Sequence, residues 1–200
     1  MRRGVRVALI PRVVDRVERE RGFTLVEVLV AVLLLSALAV GAATLGAAAG
    51  RAVLMARTAS SAGALARQKH EQLRALTWAV NEAGVLVTDT TADLSAASPA
   101  PGGAGTAVSP PGALDANLAG FSDYLDVEGR WAGAGALPPA GAAFARRWSV
   151  DRLDGSEGAT LVVRVLVVPL AWAPLRAGRG ATAGLVSEAT LVSMRTRTAR

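Results

Sequence analysis

The chain has no cysteine. That absence excludes a disulfide framework, a cysteine-based zinc site and a thiol nucleophile. Aromatic residues make up only 4% of the sequence, and histidine occurs once, as His70. Apolar residues reach 52%, but much of this is alanine, so any core is modest and built from valine and leucine. No nucleophile elbow of the Gly-x-Ser-x-Gly type occurs, nor a recognised phosphate-binding glycine loop. His70 lies among charged residues on a predicted helix, where a solvated face accounts for it. The expectation is a protein that is not an enzyme, with no catalytic residues, no cofactor and no metal site. No internal repeat is visible.

Charge is present but uneven. The net charge is +6, and residues 1–22 hold seven arginines against Asp15, Glu18 and Glu20, a net of +4. The remainder is close to neutral for its size, so the high isoelectric point does not argue for a nucleic-acid partner. A basic flank beside an apolar run instead signals topology, with the N-terminus kept in the cytoplasm.

The apolar run is the most informative stretch. From Val28 to Gly50 there is no charge, and Glu27 stands alone at the start. A carboxylate inside a membrane helix is costly, so it is read as functional and in need of a partner. As a helix, residues 23–50 would span about 42 Å, against a hydrocarbon core of about 30 Å. The first half is dense in leucine and valine, and the second is mostly alanine and glycine. Gly41, Ala42, Gly46, Ala49 and Gly50 would let another helix approach closely. A simple anchor explains the run but not Glu27. A secretory signal with cleavage near Ala47-Ala48-Ala49 is an alternative, although its apolar region should run only about 7–15 residues.

Residues 51–84 continue the helical pattern to about Val80, with a narrow apolar stripe of Ala59, Ala62, Leu65, Ala66, Leu73 and Leu76. Arg67, Gln68, Lys69, Glu71, Gln72 and Arg74 are assigned to the other faces, and Asn81 and Gly84 to the stop. Residues 85–143 read mainly as connection. Val85–Thr88 is a possible short strand, and Ser95–Gly112, rich in Ala, Gly, Pro and Ser, is expected to be a flexible loop. Asp123, Asp126 and Glu128 carry oxygen ligands suited to calcium, but their spacing is not that of the twelve-residue calcium loop, and an acidic turn ending at Gly129 fits better. Residues 144–200 are β-rich. Strands are expected over Phe144–Leu153, Thr160–Val168 and Glu188–Arg197, with Val192 and Met194 on one face of the last and Ser193, Arg195 and Arg197 on the other. Asp151 and Asp154 are read as turn residues flanking a hairpin. Leu161–Leu175 is too short and too interrupted by Pro169 and Pro174 for a second span. The fold class is α+β. A long N-terminal helix spans the membrane with its first half and packs its second half on a small antiparallel sheet of three or four strands, so that residues 51–200 form one globular domain.

Gly22-Phe23-Thr24-Leu25-Val26-Glu27, followed by Val28 to Leu35, resembles the N-terminal signal of type IV pilins and type II secretion pseudopilins. The resemblance implies cleavage after Gly22 by a prepilin peptidase, N-methylation of Phe23, and pairing of Glu27 with the terminal amine of a neighbouring subunit during assembly. It also implies other pilins or pseudopilins and the cytoplasmic (inner) membrane as partners, with the C-terminal domain outside the cytoplasm. More loosely, Asp123 to Trp131, Arg146 to Val150 and Leu161 to Val168 follow an order seen in minor pilins and minor pseudopilins. The chain departs from the family in three ways. Its leader is long for a type IVa pilin, as it would be if translation begins at a later codon. No proline interrupts the apolar helix, and Thr44 lies where major pilins often carry one, so an unbroken helix is expected. No cysteine pair closes the C-terminal region. The expected function is that of a minor pilin or pseudopilin, with a membrane-anchored or secreted binding domain that never polymerises as the alternative.

Overall fold

The computed structural model describes residues 22–156, 158–172 and 188–199. The leader assigned to residues 1–22 therefore lies outside the described residues except for Gly22, and so does Pro174. The chain divides into two compact units, Met1–Ala48 and Ala49–Arg200. Helix α1 (Leu25–Ala75) contributes to both.

In the first unit, every described residue is exposed. The helix is unbroken through Thr44, as the lack of proline predicts. Its hydroxyls are satisfied locally, with Ser36 Oγ donating to Leu33 O and Thr44 Oγ1 to Gly41 O, each at 2.8 Å. Such back-bonding lets serine and threonine sit in an apolar helix without an unmet polar group.

In the second unit, α1 buries Ala62, Leu65, Ala66, Lys69 and Leu73. The helix ends at Ala75, short of the expected Val80, because Trp78–Val80 is strand β1. It pairs antiparallel with β2 (Leu86–Thr88). Asn81 and Gly84 are the hairpin turn between them rather than a helix stop. Asn81 Oδ1 accepts the Val85 N–H at 2.8 Å, and the Gly84 N–H donates to Asn81 O at 2.9 Å. The helix end is held from elsewhere. The Arg195 guanidinium donates to the carbonyls of Leu73 and Leu76, which helical bonding would leave open. A cation at this position also meets the negative end of the helix dipole.

The main sheet has five antiparallel strands rather than three or four. They are β5 (Ser122–Leu125), β6 (Trp131–Gly133), β7 (Phe144–Arg152), β8 (Thr160–Pro169) and β9 (Ala189–Thr196), in the order β6-β5-β7-β8-β9. The two extra strands come from the stretch read as connection. At four and three residues they are too short for alternation to register. Two smaller pairings complete the unit. Strands β3 (Ala92–Asp93) and β4 (Ala100–Pro101) form a ribbon, and β10 (Thr198–Ala199) lies parallel to β1.

One face of the sheet meets the helix. Trp148 and Val150 on β7, with Leu161, Val163, Val165 and Val167 on β8, share one cluster with the α1 stripe, Leu94, Phe121 and Leu125. Each buried valine or leucine contributes about 1.5–3 kcal/mol. On β9 the expected alternation is present with the apolar pair outward. Val192 and Met194 are exposed, while Ser193 and Arg195 are part-buried and bond residues of the helix.

The segment Ser95–Gly112 is not a loose loop. Thr106 Oγ1 donates to Asp89 O at 2.6 Å. Ser109 brackets Val150, donating from its N–H to Val150 O at 2.8 Å and accepting the Val150 N–H at Oγ at 3.1 Å. Gly103 lies so close to the Asp93 backbone that a Cβ there would collide with it. Composition predicted mobility, but these side chain–backbone bonds fix the segment.

Candidate processing and assembly site

The site begins where regular structure begins. Gly22 and Phe23 precede the helix, and Phe23 is 81% exposed. Thr24 caps the first turn. Its Oγ1 accepts the Glu27 N–H at 3.2 Å, and its carbonyl accepts the Val28 N–H at 3.2 Å. Threonine three residues before glutamate is the spacing of a capping box. Glu27 therefore lies in the first turn, where the dipole favours negative charge. Among the described residues no cation pairs with its carboxylate. Phe23, Glu27, Ala31 and Leu35 recur every fourth residue and, with Val28 and Val32, line one shallow apolar groove.

Beyond this turn the helix is long and apolar enough to cross a membrane. An 18-residue window has a mean hydropathy of 2.6, and none of it is buried within the chain. Residues 18–43 match the family described as the prokaryotic N-terminal methylation motif. The N-terminal segment is type IV pilin-like. The motif marks a prepilin-peptidase substrate of the type IV pilin family, and the apolar helix fits a membrane-anchored pilin. No curated protein and no solved structure matches the chain. The match ends at residue 43 and does not reach the second unit.

The structure separates the three acids considered for calcium. Asp126 and Glu128 stay in the β5–β6 turn, where Asp126 Oδ1 accepts the N–H groups of Glu128 and Arg130. Arg130 bridges both carboxylates, at 2.8 Å to Asp126 and 3.1 Å to Glu128. The turn ends at Gly129, with φ of 81°. Asp123 instead points into the protein. Among the described residues no group of three or more histidines or carboxylates is placed to hold a metal ion. Asp151 is also relocated. It lies within β7, accepts the Ser149 hydroxyl at 3.0 Å, and sits 3.5 Å from Arg164.

Two helix residues assigned to solvent face the protein interior. His70 Nε2 is hydrogen-bonded to Ser193 Oγ on β9, and its side chain is 12% exposed. Lys69 lies in the buried stripe, 1% exposed, with Nζ 2.9 Å from Asp123 Oδ2. It also donates to Leu94 O and lies 4.3 Å from the centre of the Trp148 ring. Arg146, opposite Asp123 in the β5–β7 register, grips the same carboxylate in two bonds of 2.9 and 2.7 Å. It then reaches Leu65 O and Gln68 Oε1 on the helix. Burial pushes the Lys69 ammonium down to about 8, Asp123 pulls it back up, and Arg146 opposes Asp123. Helical periodicity places Lys69 in line with Ala62, Ala66 and Leu73, but its polarity argued it outward. A stronger signal was present, since Lys69 is the sole lysine in a chain whose other basic residues, His70 aside, are all arginines.

Proposed function

We propose that the chain is a minor pilin or pseudopilin that is cut after Gly22, methylated at Phe23 and assembled through α1 into a type IV pilus or type II secretion pseudopilus. It serves as a subunit rather than an enzyme. The observation that carries the reading is Glu27, a carboxylate with no cation paired to it among the described residues, set in the first turn of a helix that is uncharged from Val28 to Gly50, within the methylation motif. Such a group requires a positive partner once in hydrocarbon. A methylated Phe23 amine on a neighbouring subunit has the right charge and sits at the right end of the helix.

The glycines support the same reading. A Cβ at Gly41, Gly46 or Gly50 would touch nothing among the described residues. Among the described residues nothing packs on them, whereas a neighbouring helix would use their smallness. Before assembly, the first part of α1 lies in the cytoplasmic membrane with the second unit outside the cytoplasm. The test is expression in the native host, followed by shearing and in-membrane crosslinking from positions near Gly41 and Gly46. Recovery in the sheared fraction, with crosslinks to other pilins, is expected. Retention in the membrane without such crosslinks would favour an anchored domain that does not polymerise.

A further inference from the structure

Among the described residues, the helix–sheet contact holds more buried cations than carboxylates in direct ion-pair contact with them. Two buried cations, Lys69 and Arg146, share one buried carboxylate, Asp123. Among the described residues Asp93, on β3, also attracts Lys69, but it forms no ion pair with the ammonium, and its Oδ1 accepts the N–H and hydroxyl of Ser95. The remaining contacts of the ammonium are the Leu94 carbonyl and the face of Trp148. The members of the cluster are distributed unequally. Asp123 and Arg146 both belong to the sheet and already form a neutral two-bond pair, whereas the surplus charge comes from the helix. The apolar grip of the helix is slight, because Ala62, Ala66 and Lys69 occupy three of its five buried positions.

We propose that the docked part of α1, about residues 58–75, is a releasable strap, weakened on purpose by Lys69, that opens from the sheet before the sheet itself unfolds. Opening returns the Lys69 ammonium to water, exchanges the Arg146 bonds to Leu65 O and Gln68 Oε1 for water, and leaves Asp123 and Arg146 paired, so no bare charge remains behind. Closing buries the surplus charge again. The depressed ammonium is consistent with that cost. Arg195 on the Leu73 and Leu76 carbonyls and His70 on Ser193 hold the far end of the strap. The helix is thus pinned where it ends, while at its crossing it carries the buried ammonium and is held by the Arg146 bonds to Leu65 O and Gln68 Oε1.

An ion pair that only stabilises would weaken when cut, but a surplus buried charge should do the opposite. Lys69→Met keeps the length of the side chain and removes the charge. Amide hydrogen exchange on the full chain in detergent micelles is expected to show residues 62–73 protected about tenfold or more beyond wild type, with β7 and β8 unchanged. Unchanged or reduced protection of the helix would overturn the proposal. A second measurement stands even if that variant does not fold. Wild-type chain is treated with an amine-acetylating reagent, and modification of its single lysine is followed by mass. Acetylation of Lys69 while β7 and β8 amides remain protected supports the strap. Acetylation only in step with loss of that protection overturns it.

Discussion

Lys69 Nζ and Asp123 Oδ2 lie 2.9 Å apart, and the two side chains are 1% and 0% exposed. The pair joins α1 to β5, and the Arg146 bonds to the same carboxylate bring in β7. One carboxylate therefore serves three elements. A buried pair of this kind is poor evidence of net stabilisation, yet removing its central member is severe.

Asp123→Asn tests that asymmetry. It leaves Lys69 and Arg146 buried with no anion between them, and the expected loss is about 3–5 kcal/mol. Urea unfolding of the full chain in detergent, followed by tryptophan fluorescence, measures it. A loss within 1 kcal/mol would mean that water solvates the two cations or that another anion already offsets them.

The pH dependence has a definite sign. Burial lowers Lys69 to about 8 from its ordinary 10.5. Below pH 8 both folded and unfolded chains hold the proton, and the cost of the buried charge is present in full. Between pH 8 and 10.5 the unfolded chain keeps a proton that the folded chain has released, so stability rises with pH. Above about 10, Tyr124 acts the other way, because its burial raises its pKa. The clean window is pH 8 to 10, with a gain on the order of 2 kcal/mol. Denaturation midpoints across that window should rise in wild type and stay level in Lys69→Met.

The β5–β6 turn supplies a steric test. Gly129 has a φ of +81°, and a Cβ there would lie 2.9 Å from Leu65 Cδ2 on the helix. Gly129→Ala must accept a left-handed backbone and push Leu65 aside. A loss of about 1–3 kcal/mol is expected. Leu65→Ala should relieve the contact, so the double variant should lose less than the two single effects combined. Simple additivity would show that the turn and helix do not press on one another.

How much of this was legible depends on the range of the interactions. Gly22, Phe23 and Glu27 lie within six residues of one another, and cap, charge and apolar run are read along the chain. The strands of β7 and β8 are long and β-branched, so alternation and propensity identify them. The helix end was misplaced because its capping group, Arg195, lies 122 residues from Leu73. Strand β5 was missed because four buried residues show no alternation. Lys69 was turned outward because polarity predicts exposure only where no distant carboxylate waits, and Asp123 comes from another element. Ser95–Gly112 looked mobile for a similar reason, since its partners Asp89 and Val150 lie outside the segment.

Processing gives a direct chemical prediction. Cleavage after Gly22 and methylation of the new amine leave a mature chain that begins at N-methyl-Phe23. Intact mass and N-terminal sequencing of membrane-extracted protein check both together. Gly22→Val should block cleavage and leave the basic leader attached. A mature end near Ala47–Gly50 would instead identify ordinary secretory cleavage and overturn the assembly reading.

Glu27 distinguishes an anchor from a subunit. Removing a lone acid from a membrane helix eases insertion, by at most about 2.5–3.5 kcal/mol at the helix centre and less near the interface. Local structure has little need of the side chain, since the bond from Glu27 to Thr24 uses the backbone N–H. A simple anchor should therefore tolerate Glu27→Ala, or gain from it. A filament subunit should not, because the carboxylate must meet a neighbour's amine among packed helices, where an unpaired charge costs about 3–5 kcal/mol. The expected outcome is that Glu27→Ala inserts, is cut after Gly22, and is lost from the sheared filament fraction while remaining in the membrane. Glu27→Gln keeps the shape without the charge and should fail in the same way. Incorporation of either variant at wild-type levels would show that the carboxylate does not serve assembly.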